Sequence, residues 1–132
     1  MSGRPAHTPE ELHAVIEEAF NNADLDAYVE AYDDDATLVV PPDGLLAHGR
    51  DEIRAATAPI FDGRPRMRSV VDKKVQADGL ALTHAHWELD STAPDGSPLR
   101  LRGRGTLVSR RRPDGTWGIV LDDPLTPTGD GT

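Results

Sequence analysis

The chain has 132 residues, of which 37% are hydrophobic and 28% charged, and its formal net charge is −9. The length fits one domain, the acidic balance argues against a nucleic-acid partner, and the absence of cysteine excludes disulfides, thiol nucleophiles and cysteine-ligated metals. No apolar run approaches the roughly 20 residues that span a bilayer, and residues 1–7 lack the apolar stretch of a signal peptide. We therefore expect a cytoplasmic protein with no membrane partner.

The first predicted helix begins at Thr8, which can act as N-cap while Pro9 takes the first helical position and Glu11 completes a capping box. Apolar residues then recur at the spacing of one helical face, at Leu12, Val15, Ile16, Ala19 and Phe20. Asn21 and Asn22 are expected to close the helix.

A second helix is predicted to begin after Asp24 as N-cap. Its larger side chains repeat the same spacing, at Leu25, Tyr28, Val29 and Tyr32. We expect the three aspartates at 33–35 to end this helix, because negative charges are unfavourable at the negative end of the helix dipole.

Two short strands and a third helix are predicted next. Residues 36–40 and 45–48 form the strands, with a turn at 41–44 between them. The helix is expected from Arg50 to about Ala58, and Pro59 is expected to end or kink it.

Four long β-like segments complete the chain, at 66–77, 80–92, 99–111 and 116–123. Asp-Gly pairs separate them, and such pairs between β segments favour hairpins, so we predict an antiparallel meander. Helices followed by a long antiparallel sheet are typical of the α+β class.

The predicted organisation is a single domain at 9–124, an N-terminal arm at 1–8 and a flexible tail at 125–132, which is rich in Pro, Gly and Thr. The helices can cover only one face of the sheet. A twisted sheet longer than its cover leaves a hollow on the helix side, and its other face must be polar or pair with a second subunit.

Several motifs carry a family resemblance. Between Asp24 and Ile53 the chain has Tyr-x-Asp-Asp-Ala-Thr, then Pro-x-Gly, then His-Gly-Arg-x-x-Ile, and Asp114 to Asp122 reads Asp-Gly-x-Trp-x-Ile-Val-x-Asp. Residues 9–124 thus resemble the SnoaL-like branch, especially its SgcJ/EcaC-type members, of the nuclear-transport-factor-two-like (ketosteroid-isomerase-like) superfamily. The resemblance implies a cystatin-like cone, in which three helices pack on a curved, mostly antiparallel sheet, with an interior pocket and often a dimer through the outer sheet face.

Ketosteroid isomerase chemistry does not fit this sequence. By the resemblance, the base falls on Val40, the oxyanion tyrosine near Ile16 and the oxyanion acid near Leu107. None of these side chains can exchange or donate a proton in the required way. That mechanism is rejected, while Val40 is still expected to contact a ligand.

A SnoaL-type polyketide cyclase, by the resemblance, needs one acid/base residue on the last strand. Asp122 and Asp123 occupy that strand, and the isomerase-like template turns Val120 and Asp122 towards the pocket. A carboxyl in an apolar cone would have a raised pKa, which suits an acid/base catalyst. The alternative is that both aspartates only end the strand before Pro124.

His84 and His86 share one face of the segment at 80–92, and Trp87 lies on the other. Polarity would bury the face of Trp87, which could then position an aromatic ligand. The template would instead turn both histidines inward, where they could assist Asp122 in proton transfer. The sequence leaves this choice open.

Neither a metal site nor a cofactor site is predicted. His84 and His86 could supply two ligands, but Asp122 would lie two strands away, roughly 10 Å. The sequence contains no glycine-rich phosphate loop, no dinucleotide fingerprint and no His-Glu-x-x-His motif.

The resulting hypothesis is a protein that binds a hydrophobic polyketide-like or steroid-like compound of secondary metabolism. Asp122 would act as acid/base with His84 or His86 as helper, and Tyr32, Trp87, Val40 and Val120 would contact the ligand. Tyr32 is included because its equivalents in the resembled family line the pocket. The rival hypothesis is a non-catalytic ligand-binding or dimerisation module.

A homodimer through the outer sheet face is expected mainly from the resemblance. Arg100, Arg102 and Arg104 alternate along one face of their strand. Because three arginines would be unusual inside a small cone, this face is expected to lie outside.

Overall fold

The helices and strands follow the α+β order that the sequence predicts. The computed structural model describes residues 4–41 and 43–125. Its helices are α1 (Pro9–Asn21), α2 (Leu25–Glu30) and α3 (Gly49–Asp62). Its strands are β1 (Tyr32–Val40), β2 (Leu45–His48), β3 (Arg66–Ala77), β4 (Leu80–Thr92), β5 (Pro98–Arg111) and β6 (Trp117–Asp123).

The six strands form one curved sheet in the order β2-β1-β6-β5-β4-β3. The predicted meander is confirmed, because β3, β4, β5 and β6 pair antiparallel in succession. β1 pairs parallel with β6 and antiparallel with β2, so the sheet is mixed but mostly antiparallel. The helices lie on its concave face, and the core fills the space between the two layers.

Local signals set the starts of the first two helices. Thr8 caps α1, its hydroxyl accepting a hydrogen bond from the Glu11 backbone N–H at 3.2 Å. Asp24 caps α2, its carboxylate accepting from the Ala27 backbone N–H at 3.1 Å. The predicted apolar face of α1 is buried in the core.

The chain leaves α2 earlier than predicted. Tyr32 was expected at the end of this helix, but α2 ends at Glu30 and Tyr32 is the first residue of β1. The cause is the parallel pairing with β6, since the Ile119 N–H donates to the Ala31 carbonyl at 2.9 Å. Arg112 also donates to the Glu30 carbonyl at 3.1 Å, which satisfies an orphan acceptor at the helix end.

α3 continues through Pro59 to Asp62, so the predicted end near residue 58 is wrong. Pro59 is exposed, and the carbonyl that it leaves without a donor belongs to exposed Ala55, where water can reach it. Beyond the proline, buried Phe61 stacks on Phe20 with 4.7 Å between ring centroids. Packing of this last turn therefore outweighs the local cost of the proline.

The arm and the tail are only partly described. Residues 4–8 pack on the domain: Ala6 is buried and its carbonyl accepts from the Trp117 N–H at 2.9 Å. Of the tail at 125–132, residues 126–132 lie outside the described residues. Within the described ranges, no helix has the length and apolar character needed to cross a membrane.

Candidate functional site

A cavity lies between the helices and the concave face of the sheet. The space open to the centres of water-sized molecules is about 90 Å³. One water requires roughly 10–15 Å³ in this measure, so the cavity is larger than a packing defect. The wall is mostly apolar and includes Ile16, Phe20, Leu38, Val40, Leu89 and Leu107.

Asp122 projects from β6 into this apolar wall. It pairs in register with Leu38 of β1 on one side and with Leu107 of β5 on the other, and all three line the cavity. The expectation that Asp122 faces the interior thus agrees with its position. Among the described lining residues, Asp122 is the only carboxylic acid.

Two buried tyrosines are hydrogen-bonded in series to the Asp122 carboxyl. The Tyr32 hydroxyl donates to Asp122 Oδ2 at 2.5 Å, and the hydroxyls of Tyr28 and Tyr32 lie 2.8 Å apart. Because Tyr32 has only one hydroxyl proton, Tyr28 must donate to Tyr32 when Asp122 is ionised. Burial raises the pKa of both tyrosines above the ordinary value, so they remain proton donors.

The environment also moves the pKa of Asp122 upward, to about 7. Burial is the main cause, since it penalises the charged carboxylate. The hydrogen bond from Tyr32 opposes this effect, and the charge of Asp123 adds to it. Asp122 can therefore accept and release a proton near neutral pH.

His13 of α1 is another polar residue of the wall, and it is not among the predicted site residues. Its Nε2 is hydrogen-bonded to Thr83 Oγ1 at 2.6 Å. Burial lowers the pKa of His13 to about 4, against a smaller opposing effect of Glu10, so the imidazole is neutral at physiological pH. The available signal was its position three residues before Ile16 and seven before Phe20, on the apolar helix face.

Trp87 lines the cavity, as expected if polarity decides which face of β4 is buried. Its indole Nε1 donates to the Pro124 carbonyl at 2.8 Å and so fixes the chain that follows β6. Gly105 allows this approach, because a Cβ there would lie 3.3 Å from Pro124 Cα. Pro124 in turn forms part of the cavity wall.

His84 and His86 do not reach the cavity, so the hypothesis that they assist Asp122 is wrong. Strand alternation buries Trp87 and its neighbours on that face and turns both histidines to the outer sheet face. There His84 Nδ1 is hydrogen-bonded to Thr106 Oγ1 at 3.0 Å, and His86 Nδ1 lies 2.6 Å from Asp72 Oδ2.

Of the other three predicted ligand contacts, the structure places one in the cavity wall. Val40 lines the cavity, whereas Tyr32 and Val120 do not. Tyr32 is fully buried and acts on the site through Asp122. Val120 is displaced by a β-bulge, since β5 pairs with Ile119 and Leu121 and skips it. The bulge breaks the alternation by which Val120 and Asp122 would share one face.

The described part of the chain contains no group of three or more His, Asp or Glu residues arranged to hold a metal ion. The titratable groups that the described residues bring to the site are Asp122, its tyrosine partners and His13.

Residues 12–117 match the family model of the SnoaL-like domain. The protein is a SnoaL-like domain. Solved structures similar to this SnoaL-like domain include a ketosteroid isomerase-like protein from Erwinia carotovora atroseptica, with 22% identity, coverage of 89% of this chain and 94% of the other, and a TM-score of 0.74. A comparison with curated protein sequences gives no match.

Two further structures resemble the SnoaL-like domain in fold. An NTF-2 like protein of unknown function from Shewanella oneidensis has 24% identity, covering 86% of this chain and 92% of the other, with a TM-score of 0.66. A protein with a cystatin-like fold from Caulobacter vibrioides has 24% identity, covering 89% and 87%, with a TM-score of 0.70. The expected nuclear-transport-factor-two-like fold is thus confirmed, and folds of this type host many chemistries.

Proposed function

We propose that this SnoaL-like domain binds an uncharged, largely hydrocarbon compound of polyketide-like or steroid-like character from secondary metabolism and moves a proton on it. The observation that carries the proposal is the carboxyl of Asp122, which lies in an apolar cavity and is hydrogen-bonded by Tyr32. Outside catalysis, burying a carboxyl in such surroundings only costs stability.

The cavity wall limits the charge of the ligand. An anion would be repelled by ionised Asp122, and either sign of charge would lose its hydration against a wall of aliphatic and aromatic side chains. Trp87 and Phe20 offer flat surfaces that suit a planar ring system.

The proposed step is a proton transfer beside a carbonyl. Ionised Asp122 takes a proton from the adjacent carbon, the C–H electron pair forms a C=C bond, and the carbonyl oxygen becomes an enolate. In an isomerase-like reaction Asp122 returns the proton to another carbon. In a cyclase-like reaction the enolate carbon attacks a second carbonyl of the ligand, and Asp122 protonates the alkoxide that forms. Neither route gains or loses electrons overall.

Thermal-shift screening with planar polyketides and steroids tests the binding part of the proposal. A compound that binds the folded state raises the midpoint of unfolding in proportion to the logarithm of its concentration. If no member of either class stabilises the protein, a ligand-binding cavity of this kind is excluded.

Catalysis is tested with Asp122→Asn on a compound that the screen identifies. The amide keeps the shape and a hydrogen-bonding group but cannot take up the proton, so turnover should be lost while binding remains. Asp123→Asn is the matched control and should keep turnover. Full activity of Asp122→Asn would remove Asp122 from the mechanism, whereas no turnover by the wild type on any compound that binds would favour a non-catalytic binding module.

A homodimer through the outer sheet face is a second proposal, supported by a strip of apolar side chains. Val75, Leu82, Val108 and Leu121 are direct neighbours across β3, β4, β5 and β6. We call this row the outer strip. Val75 and Leu121 are 54% and 51% exposed, which leaves apolar surface that a second copy would cover.

A further inference from the structure

His13 and Asp122 stand at two ends of one row across the floor of the cavity. Thr83 of β4 pairs with Leu107 of β5, and Leu107 pairs with Asp122 of β6. Two strand spacings separate Thr83 from Asp122, which is roughly 10 Å. His13 is bonded to Thr83 at one end, Asp122 occupies the other, and the apolar side chain of Leu107 lies between them.

One nitrogen of His13 has a partner and the other does not. Nε2 is bonded to Thr83 Oγ1, which fixes the ring, while none of the described residues is hydrogen-bonded to Nδ1. His13 lines the cavity, so a ligand bound there can reach its ring. A ligand oxygen can supply the hydrogen bond that Nδ1 does not make within the described residues.

We propose that His13 is a second polar contact for the ligand, and that the ligand is an uncharged fused-ring compound with two oxygen functions, one at Asp122 and one at His13. This inference rests on the proposed function, because it assigns a substrate class to the same cavity. It adds a specificity-determining residue that takes no part in the proton transfer itself.

The neutral imidazole can form a hydrogen bond with either a carbonyl or a hydroxyl oxygen of the ligand. If the Thr83 hydroxyl donates to Nε2, then Nδ1 carries the proton and can donate to a carbonyl or hydroxyl. If Nε2 donates to Thr83, then Nδ1 can accept from a hydroxyl. The Thr83 bond holds the imidazole in the cavity wall, whereas a residue that only fills this space could be a leucine.

The test uses naphthalene, 2-naphthol and 2,6-naphthalenediol as probes, with dissociation constants measured by calorimetry for wild type, His13→Leu and Asp122→Asn. In wild type each added hydroxyl should raise affinity, by roughly fivefold for an ordinary hydrogen bond. His13→Leu should keep the gain from the first hydroxyl and lose the gain from the second. Thr83→Val removes the hydrogen bond that fixes the imidazole, so it should reduce the affinity gained from the second hydroxyl. This variant replaces His13→Leu in the test if His13→Leu does not fold.

Two results would overturn the inference in different ways. If 2-naphthol binds but the diol binds no more tightly to wild type than to His13→Leu, the role of His13 is wrong and the cavity remains a binding site. If none of the three probes binds, both this inference and the proposed function fail.

Discussion

Asp122 makes the stability of the protein depend on pH in a defined direction. Its pKa is about 7 in the folded state, against an ordinary value of 3.8, so the folded state binds this proton more tightly than the unfolded state. The resulting stabilisation is fully present below about pH 4 and is lost as the pH rises towards 7, where the buried carboxylate becomes charged. The full effect is at most about 4 kcal/mol.

Asp122→Asn should remove this dependence. Relative to wild type, the variant is expected to gain stability between about pH 4 and pH 8, because the amide has no charged form to bury. Urea unfolding of both proteins across this range measures the difference, in which the titration of other groups cancels. Parallel curves for the two proteins would show that Asp122 is not a buried acid.

Burial raises the pKa of Asp122, and Tyr32 opposes this rise by donating a hydrogen bond to the Asp122 carboxylate. Tyr32→Phe should therefore raise the pKa of Asp122 further, by roughly one to two units if the bond to the charged form contributes 1.5–3 kcal/mol. Infrared difference spectra would then show more protonated carboxyl at neutral pH in the variant than in wild type. Tyr28→Phe is the control and should have a smaller effect, since Tyr28 reaches Asp122 only through Tyr32.

The sequence predicted this site in part. Asp122 was selected by a template and not by alternation, because the bulge at Val120 hides the inward phase of β6 from a strict two-residue period. The template and polarity disagree on which face of β4 is buried, and the apolar residues of β4 identify that face correctly, so the template is the source of the error on His84 and His86. His13 was missed because its role depends on Thr83, 70 residues away, which no local pattern can bring together.

At the scale of elements, the hairpins and helix caps were predictable because their causes are local. Asp-Gly pairs favour the tight turns between β3, β4, β5 and β6, and Thr8 and Asp24 act on amides three residues away. The ends of α2 and α3 were not predictable in this way. Pairing with β6 draws Tyr32 into a strand, and packing of Phe61 on Phe20 carries α3 past Pro59.

A substitution of Gly63 tests how closely the end of α3 packs on the end of β4. A Cβ at this position would overlap the Thr92 backbone and the Ser91 hydroxyl, and Ser91 Oγ donates to the Ile60 carbonyl at 2.9 Å. Gly63→Ala should therefore lower the free energy of unfolding by about 1–3 kcal/mol, as overpacking does. Ala55→Ser, at an exposed position of the same helix, should change it by less than about 0.5 kcal/mol in a urea titration. Equal stability of both variants would contradict this packing.

For the whole molecule, the charges of the outer face bear on how a dimer would form. Arg100 lies 3.4 Å from Asp90 and Arg68 lies 3.9 Å from Glu88, so these outer-face charges already have partners within the subunit. The outer strip carries no charge, and its members Val75 and Leu121 are about half exposed. We therefore expect an apolar interface whose association constant changes little with salt concentration.

Leu121→Arg should convert the dimer to a monomer, because a charge would be buried within the interface. Leu45→Arg is the matched control, since Leu45 is also exposed but lies on the edge strand β2. Sedimentation velocity at low and high salt measures the outcome. A dimer that survives Leu121→Arg, or one that dissociates at high salt, would contradict an interface built on the outer strip.

The central claim is that the apolar cavity holds a titratable carboxyl that an uncharged ligand covers. A carbon-13 NMR titration of the Asp122 carboxyl, with and without saturating naphthalene, tests it most directly. We predict a midpoint near 7 in the free protein, and a higher midpoint with naphthalene bound, because this hydrocarbon displaces water from the charged form and offers it no hydrogen bond in return. A midpoint near the ordinary value of 3.8, unchanged by the ligand, would contradict the account.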